Sequence, residues 1–98
     1  MARATVQSET ETPQGWSFRV RVEHEGGAPT EHVLTMSWVD YNYWSPGGTV
    51  APERVAAWIT GFVADRRAPE LPPAKFDAST ARRWFPELDR SLRTSLGD

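Results

Sequence analysis

The 98-residue sequence has no cysteine, one lysine, two methionines and no apolar run longer than a few residues, and each scarcity removes a class of protein. Without cysteine there are no disulfides, no thiolate metal ligands and no thiol nucleophile. The short apolar stretches fall far below the roughly 18–20 residues that a membrane-spanning helix needs, so no membrane partner is expected. Residues 1–15 include Arg3, Glu9 and Glu11 and lack the apolar segment of a secretory signal, which leads us to expect a cytoplasmic protein. Charge is nearly balanced, with 11 basic and 13 acidic residues for a net −2, so nothing draws the whole chain to nucleic acid or anionic lipid. What is present, 39% hydrophobic and 24% charged residues, suits a domain that folds in water, and the length suits one core.

Residues 1–14 alternate Thr, Ser, Glu and Gln without apolar periodicity and read as a disordered tail, leaving 15–97 as a single α+β domain. From Trp16 the pattern becomes strict alternation: Trp16, Phe18, Val20 and Val22 on one side, Ser17, Arg19, Arg21 and Glu23 on the other. Gly26, Gly27 and Pro29 break the chain. Leu34, Met36 and Trp38 then alternate with Thr35, Ser37 and Val39, which predicts an antiparallel hairpin with Val22 facing Leu34 and Trp16, Trp38 and Trp58 in the core. Asp40–Trp44 suits a short turn of helix capped by Asp40. Pro52 and Glu53 open an amphipathic helix through Arg66, with Val55, Trp58, Ile59, Phe62 and Val63 on its apolar stripe. Three prolines make 68–75 an extended connector, and Asp77 and Pro86 introduce two short C-terminal helices, the second ending at Gly97. The expected architecture is a hairpin covered on one face by the long helix and the two short ones.

Read in order, Gly26-Gly27, Val33, Asp40-Tyr41, Gly47-Gly48, Pro52-Glu53, Phe62, Phe76-Asp77 and Trp84-Phe85-Pro86-Glu87 form a pattern. Over about residues 16–92 this pattern resembles an uncharacterised family of short bacterial proteins. The resemblance implies a ββα-type layout and assigns no catalytic residues.

Chemistry-bearing clusters are few. Tyr41, Tyr43 and Trp44 gather in a turn ended by Pro46 and Gly47 and form a candidate protein-contact patch. Arg82, Arg83, Arg90 and Arg93 form a candidate phosphate-contact strip, although residues 51–98 interleave eight basic with seven acidic groups. His24 and His32 face each other in the predicted hairpin, but zinc requires further ligands. There is no Gly-x-Ser-x-Gly, no His-Glu-x-x-His and no phosphate loop. The sequence therefore reads as a non-enzymatic accessory or interaction module without a cofactor, its partner a second copy or another protein. The expected route to a homodimer is the open edge of the Trp16–Glu23 strand. The alternatives are an arginine-mediated binder of nucleic acid or phosphate and a small metal-dependent enzyme built on the histidine pair.

Overall fold

Residues 3–12, expected as part of a disordered tail, form a strand in the computed structural model, which describes residues 2–97. This strand, β1 (Arg3–Thr12), turns through Pro13 and Gln14 into β2 (Gly15–Glu23). The two pair antiparallel, with Ala4 opposite Val22, Val6 opposite Val20 and Thr12 opposite Gly15. Thr5, Val6, Thr10 and Thr12 are β-branched and suit the pleated backbone, while Ala4 and Val6 extend the apolar face of β2. That is how a mostly polar segment is held. The Gly15 amide closes the turn by donating to Thr12 Oγ1 at 3.0 Å.

On the other side of β2, β3 (Thr30–Ser37) pairs antiparallel as the alternation predicts. The register differs: Phe18 faces Leu34 and Val20 faces His32, a slip of four from the expected Val22–Leu34 pair. An even slip leaves every side chain on its expected face. Gly15 constrains the register, because it lies opposite Ser37 where a Cβ would come within 2.0 Å of the Met36 carbonyl oxygen. The proline-rich connector ends in a fourth strand, β4 (Lys75–Asp77), parallel to β3, which completes a mixed sheet in the order β1-β2-β3-β4 where two strands were expected.

The described residues also form α1 (Trp38–Trp44) and α2 (Pro52–Arg67) between β3 and β4, and α3 (Ala78–Trp84) and α4 (Leu88–Leu92) after β4, with a closing π-helical turn over Arg93–Gly97. Helix α2 packs against β1, β2 and β3. Its Val55, Ala56, Ile59, Thr60, Val63 and Ala64 are buried with Phe18, Val20, Val22, Leu34 and Met36 from the sheet and Leu88 and Leu92 from α4. Trp58 and Phe62, expected on the apolar stripe, lie at its flank, half-buried and stacked at 4.9 Å, with Phe85 edge-on to Phe62 at 5.7 Å.

Gly61 sits inside α2, where an added Cβ would meet Ala4 Cβ of β1 at 3.7 Å, an ordinary contact. Glycine costs a helix interior about 1 kcal/mol against alanine. Gly61→Ala is therefore expected to stabilise the domain by about 0.5–1 kcal/mol in urea unfolding, and a loss of stability would show that β1 lies closer to α2 than this.

Asp77 caps α3 and ties it to the sheet. Burial disfavours its carboxylate, but hydrogen bonds from Ser79 Oγ at 2.6 Å, Thr35 Oγ1 at 2.5 Å and the Ser79 amide at 2.9 Å outweigh burial and hold its pKa below 3.8. A carboxyl whose pKa is lowered by folding stabilises the fold fully above its unfolded value and loses that contribution as pH falls through the folded one. Asp77→Ala is expected to cost about 1–2 kcal/mol at neutral pH, as loss of a helix cap does. Melting temperatures of wild type and variant should converge below about pH 4; a gap that persists undiminished in acid would rule out this carboxylate as its source.

Candidate functional site

The chain leaves β3 and enters α1 without a loop. Ser37 is both the last residue of the strand and the cap of the helix, its Oγ accepting from the Asp40 amide at 3.1 Å. The helix thus begins at Trp38, three residues before the position that Asp40 as cap implies, and the start is tied to the β1–β2 turn by the Trp38 amide, which donates to the Gln14 carbonyl at 2.9 Å. This takes Trp38 and Val39 out of the strand alternation that predicted a core position for Trp38. Trp38 is 47% exposed and Val39 77% exposed. The Ser-x-x-Asp spacing of Ser37 and Asp40 is a helix-start signature that would have placed the boundary.

The opposite side of α1 is locked. Tyr41 is buried and its hydroxyl donates to the Val50 carbonyl at 2.6 Å. Trp44 is buried and its indole N–H donates to Asp89 Oδ1 at 2.7 Å. Arg82 from α3 reaches between helices: its Nη2 and Nε donate to Asp89 at 2.9 and 3.1 Å, its Nη1 to Asp40 at 3.0 Å, and its guanidinium lies over the Tyr43 ring at 4.7 Å. Burial works against the Arg82 charge, and the Asp89 and Asp40 carboxylates more than offset this, raising its pKa. The Arg93 guanidinium also lies over the Tyr43 ring, at 4.4 Å, and donates to the Tyr43 carbonyl at 3.1 Å.

Both residue sets singled out from the sequence are therefore divided. Of Tyr41, Tyr43 and Trp44, only Tyr43 reaches the surface, at 44% exposed. Of the four arginines, Arg82 is committed to two carboxylates and Arg93 to Tyr43, while Arg83 and Arg90 are exposed and take no part in the network. What the fold does bring together is an aromatic surface of which the sequence indicated only Tyr43. Trp38, Val39 and Tyr43 are exposed on one helix, with Val39 and Tyr43 four residues apart and so neighbours on its face. Beside them the half-buried Trp16 stands edge-on to Trp38, with centroids 6.3 Å apart at 90°, and to Tyr41 at 5.3 Å and 76°.

The histidines are not opposite each other. His32 faces Val20 across the sheet and is buried; its Nδ1–H donates to the Pro73 carbonyl at 2.8 Å. A neutral ring so oriented has only Nε2 left as acceptor, so the Thr30 hydroxyl, 2.7 Å away, donates to it. Thr30 Oγ1 then accepts from His24 Nε2 at 2.7 Å. Three of the four ring nitrogens are thereby occupied, and among the described residues no group of three or more His, Cys, Asp or Glu side chains could hold a metal ion. A cavity of about 670 Å³ lies beside His24 at the far end of the sheet, between the hairpin turn and the end of α2, and a second of about 550 Å³ lies between β1, α2 and the C-terminal residues. No described helix is long and apolar enough to cross a membrane. Comparison with protein families, with curated proteins and with solved structures finds no match to this chain.

Proposed function

We propose that this chain is a non-enzymatic protein-interaction module whose contact surface is the exposed aromatic face of α1. The observation that carries the reading is the exposure of Trp38, Val39 and Tyr43 together on a helix whose other side is fully engaged. A seven-residue helix has little stability of its own, so its shape depends on the Ser37 cap and the Asp40–Arg82–Asp89–Trp44 network. Such bracing fixes the surface before a partner arrives and lowers the ordering cost of binding. Trp, Tyr and Arg are also the residue types that dominate interface energetics; Trp38 and Tyr43 are both exposed on α1, and Arg93 lies over the Tyr43 ring. The arginine-strip alternative is disfavoured by the neutralisation of Arg82. The proposed homodimer edge at Trp16–Glu23 is corrected outright, since β1 and β3 occupy both sides of β2.

Trp38→Ala is expected to leave the melting temperature within a few degrees of wild type, because the side chain is half in water already. It should weaken capture of a protein partner by tenfold or more, as loss of an interface tryptophan does. A photo-crosslinking residue at position 39, introduced in the native host, tests this. A protein crosslinked by the wild-type background and lost in Trp38→Ala supports the reading, and crosslinking indifferent to Trp38 counts against it.

A further inference from the structure

We infer that the C-terminal half of β1 is the docking edge for an extended segment of another protein that carries basic side chains at alternate positions. The inference rests on the interaction-module reading and names the partner's chemistry. Strand β1 is the first in the sheet order, so its outer backbone edge has no strand beside it among the described residues. The strand is also interrupted. Val6 pairs with Val20 and Ser8 with Arg19, so Gln7 is an extra residue in the ladder, a β-bulge. Before the bulge, Ala4 and Val6 lie on the same face as the core residues Val22 and Val20. After it the parity is reversed, and Glu9 and Glu11 stand opposite Phe18 and Trp16 on that face.

Both glutamates are exposed and have neither a hydrogen bond nor an ion pair among the described residues. They project from one face about 7 Å apart, the two-residue repeat of a strand. Glu11 lies directly across from Trp16, whose ring meets Trp38, so the acidic edge runs into the aromatic surface of α1.

Charged side chains and a bulge are the usual protection of an edge against indiscriminate pairing. Here they also discriminate between occupants. A second copy of β1 pairing antiparallel about Thr10 sets Glu9 against the other Glu11, and like charges directly across a ladder destabilise it. A strand with lysine or arginine at every second position places each cation beside a glutamate, on the sheet face that carries Trp16. Backbone hydrogen bonds supply attachment, and the alternating charge supplies selectivity.

The test uses the full chain and a blocked seven-residue peptide with lysine at alternate positions and threonine or valine between them. Amide resonances of Ser8–Thr12 should shift on titration, and the outward amides among them should exchange more slowly. The Glu9→Lys/Glu11→Lys variant, shown to be folded by circular dichroism, should bind about tenfold more weakly and regain affinity for the matching glutamate peptide. N-methylation of alternate peptide amides removes the backbone contacts without touching the protein and should abolish binding. Binding that survives N-methylation, ignores the charge reversal, or shifts residues away from β1 would overturn the inference, as would concentration-dependent self-association through Ser8–Thr12. Peptide binding that persists in Trp38→Ala supports the edge even where the aromatic surface proves dispensable, so the two readings fail separately.

Discussion

Deletion of residues 1–12 should lower stability by about 3 kcal/mol or more, which for a domain of this size means a fall in melting temperature of roughly 12 °C or greater. The expected loss is large because β1 borders the apolar centre of the sheet. Its removal turns β2 from an interior strand into an edge and uncovers one flank of Val20 and Val22, both fully buried. It also withdraws Ala4 from Gly61 of α2 and frees the turn whose Gln14 carbonyl anchors the Trp38 amide. Small domains have only about 5–15 kcal/mol in total, so the truncated chain is expected to unfold early or broadly. Thermal denaturation followed by circular dichroism decides the matter: an unchanged midpoint would return residues 1–12 to the status of a tail.

That strand was illegible in the sequence for a physical reason. Burial alternation identifies a strand when its own side chains are apolar, as in Phe18, Val20 and Val22, but β1 contributes only Ala4 and Val6 before the bulge reverses its faces. Its remaining signals were the β-branched residues and the two-residue Pro13-Gln14 turn. The same logic explains β4, which is three residues long and is recruited by β3 after the Pro-rich connector. Where one element carries its own pattern, reading and structure agree: β2 and β3 pair as a hairpin, Pro52 opens α2, and Asp77 caps α3. The candidate site was half legible. Tyr43 was identified, but alternation carried past Ser37 placed Trp38 and Val39 in a strand, whereas the Ser37 hydroxyl had already started a helix. Which of three neighbouring aromatics faces outward depended on Arg82 and Asp89, more than 35 residues further along the chain, and no local pattern contains that information.

Gly15→Ala is the single substitution expected to cost most. The added Cβ would lie 2.0 Å from the Met36 carbonyl oxygen and 2.8 Å from Ser37 Cα, both backbone atoms of the neighbouring strand. A flexible side chain could turn aside from such a contact; a paired strand can yield only by moving away, which breaks ladder hydrogen bonds worth about 1 kcal/mol each. Overpacking a core with one methyl group typically costs about 1–3 kcal/mol, and the rigid partner here places the expected value at the upper end or beyond. The displacement would also reach the proposed contact surface, because Gln14, the residue before Gly15, accepts from the Trp38 amide and so sets where α1 begins. Urea unfolding should therefore show Gly15→Ala destabilised by about 3 kcal/mol, opposite in sign to Gly61→Ala, where the nearest atom is an alanine Cβ at 3.7 Å. Near-UV circular dichroism should report a changed environment for the Trp16–Trp38 pair in the folded fraction. A variant as stable as wild type would mean that β2 and β3 part cheaply at this end, and the account of what fixes their register would have to be abandoned.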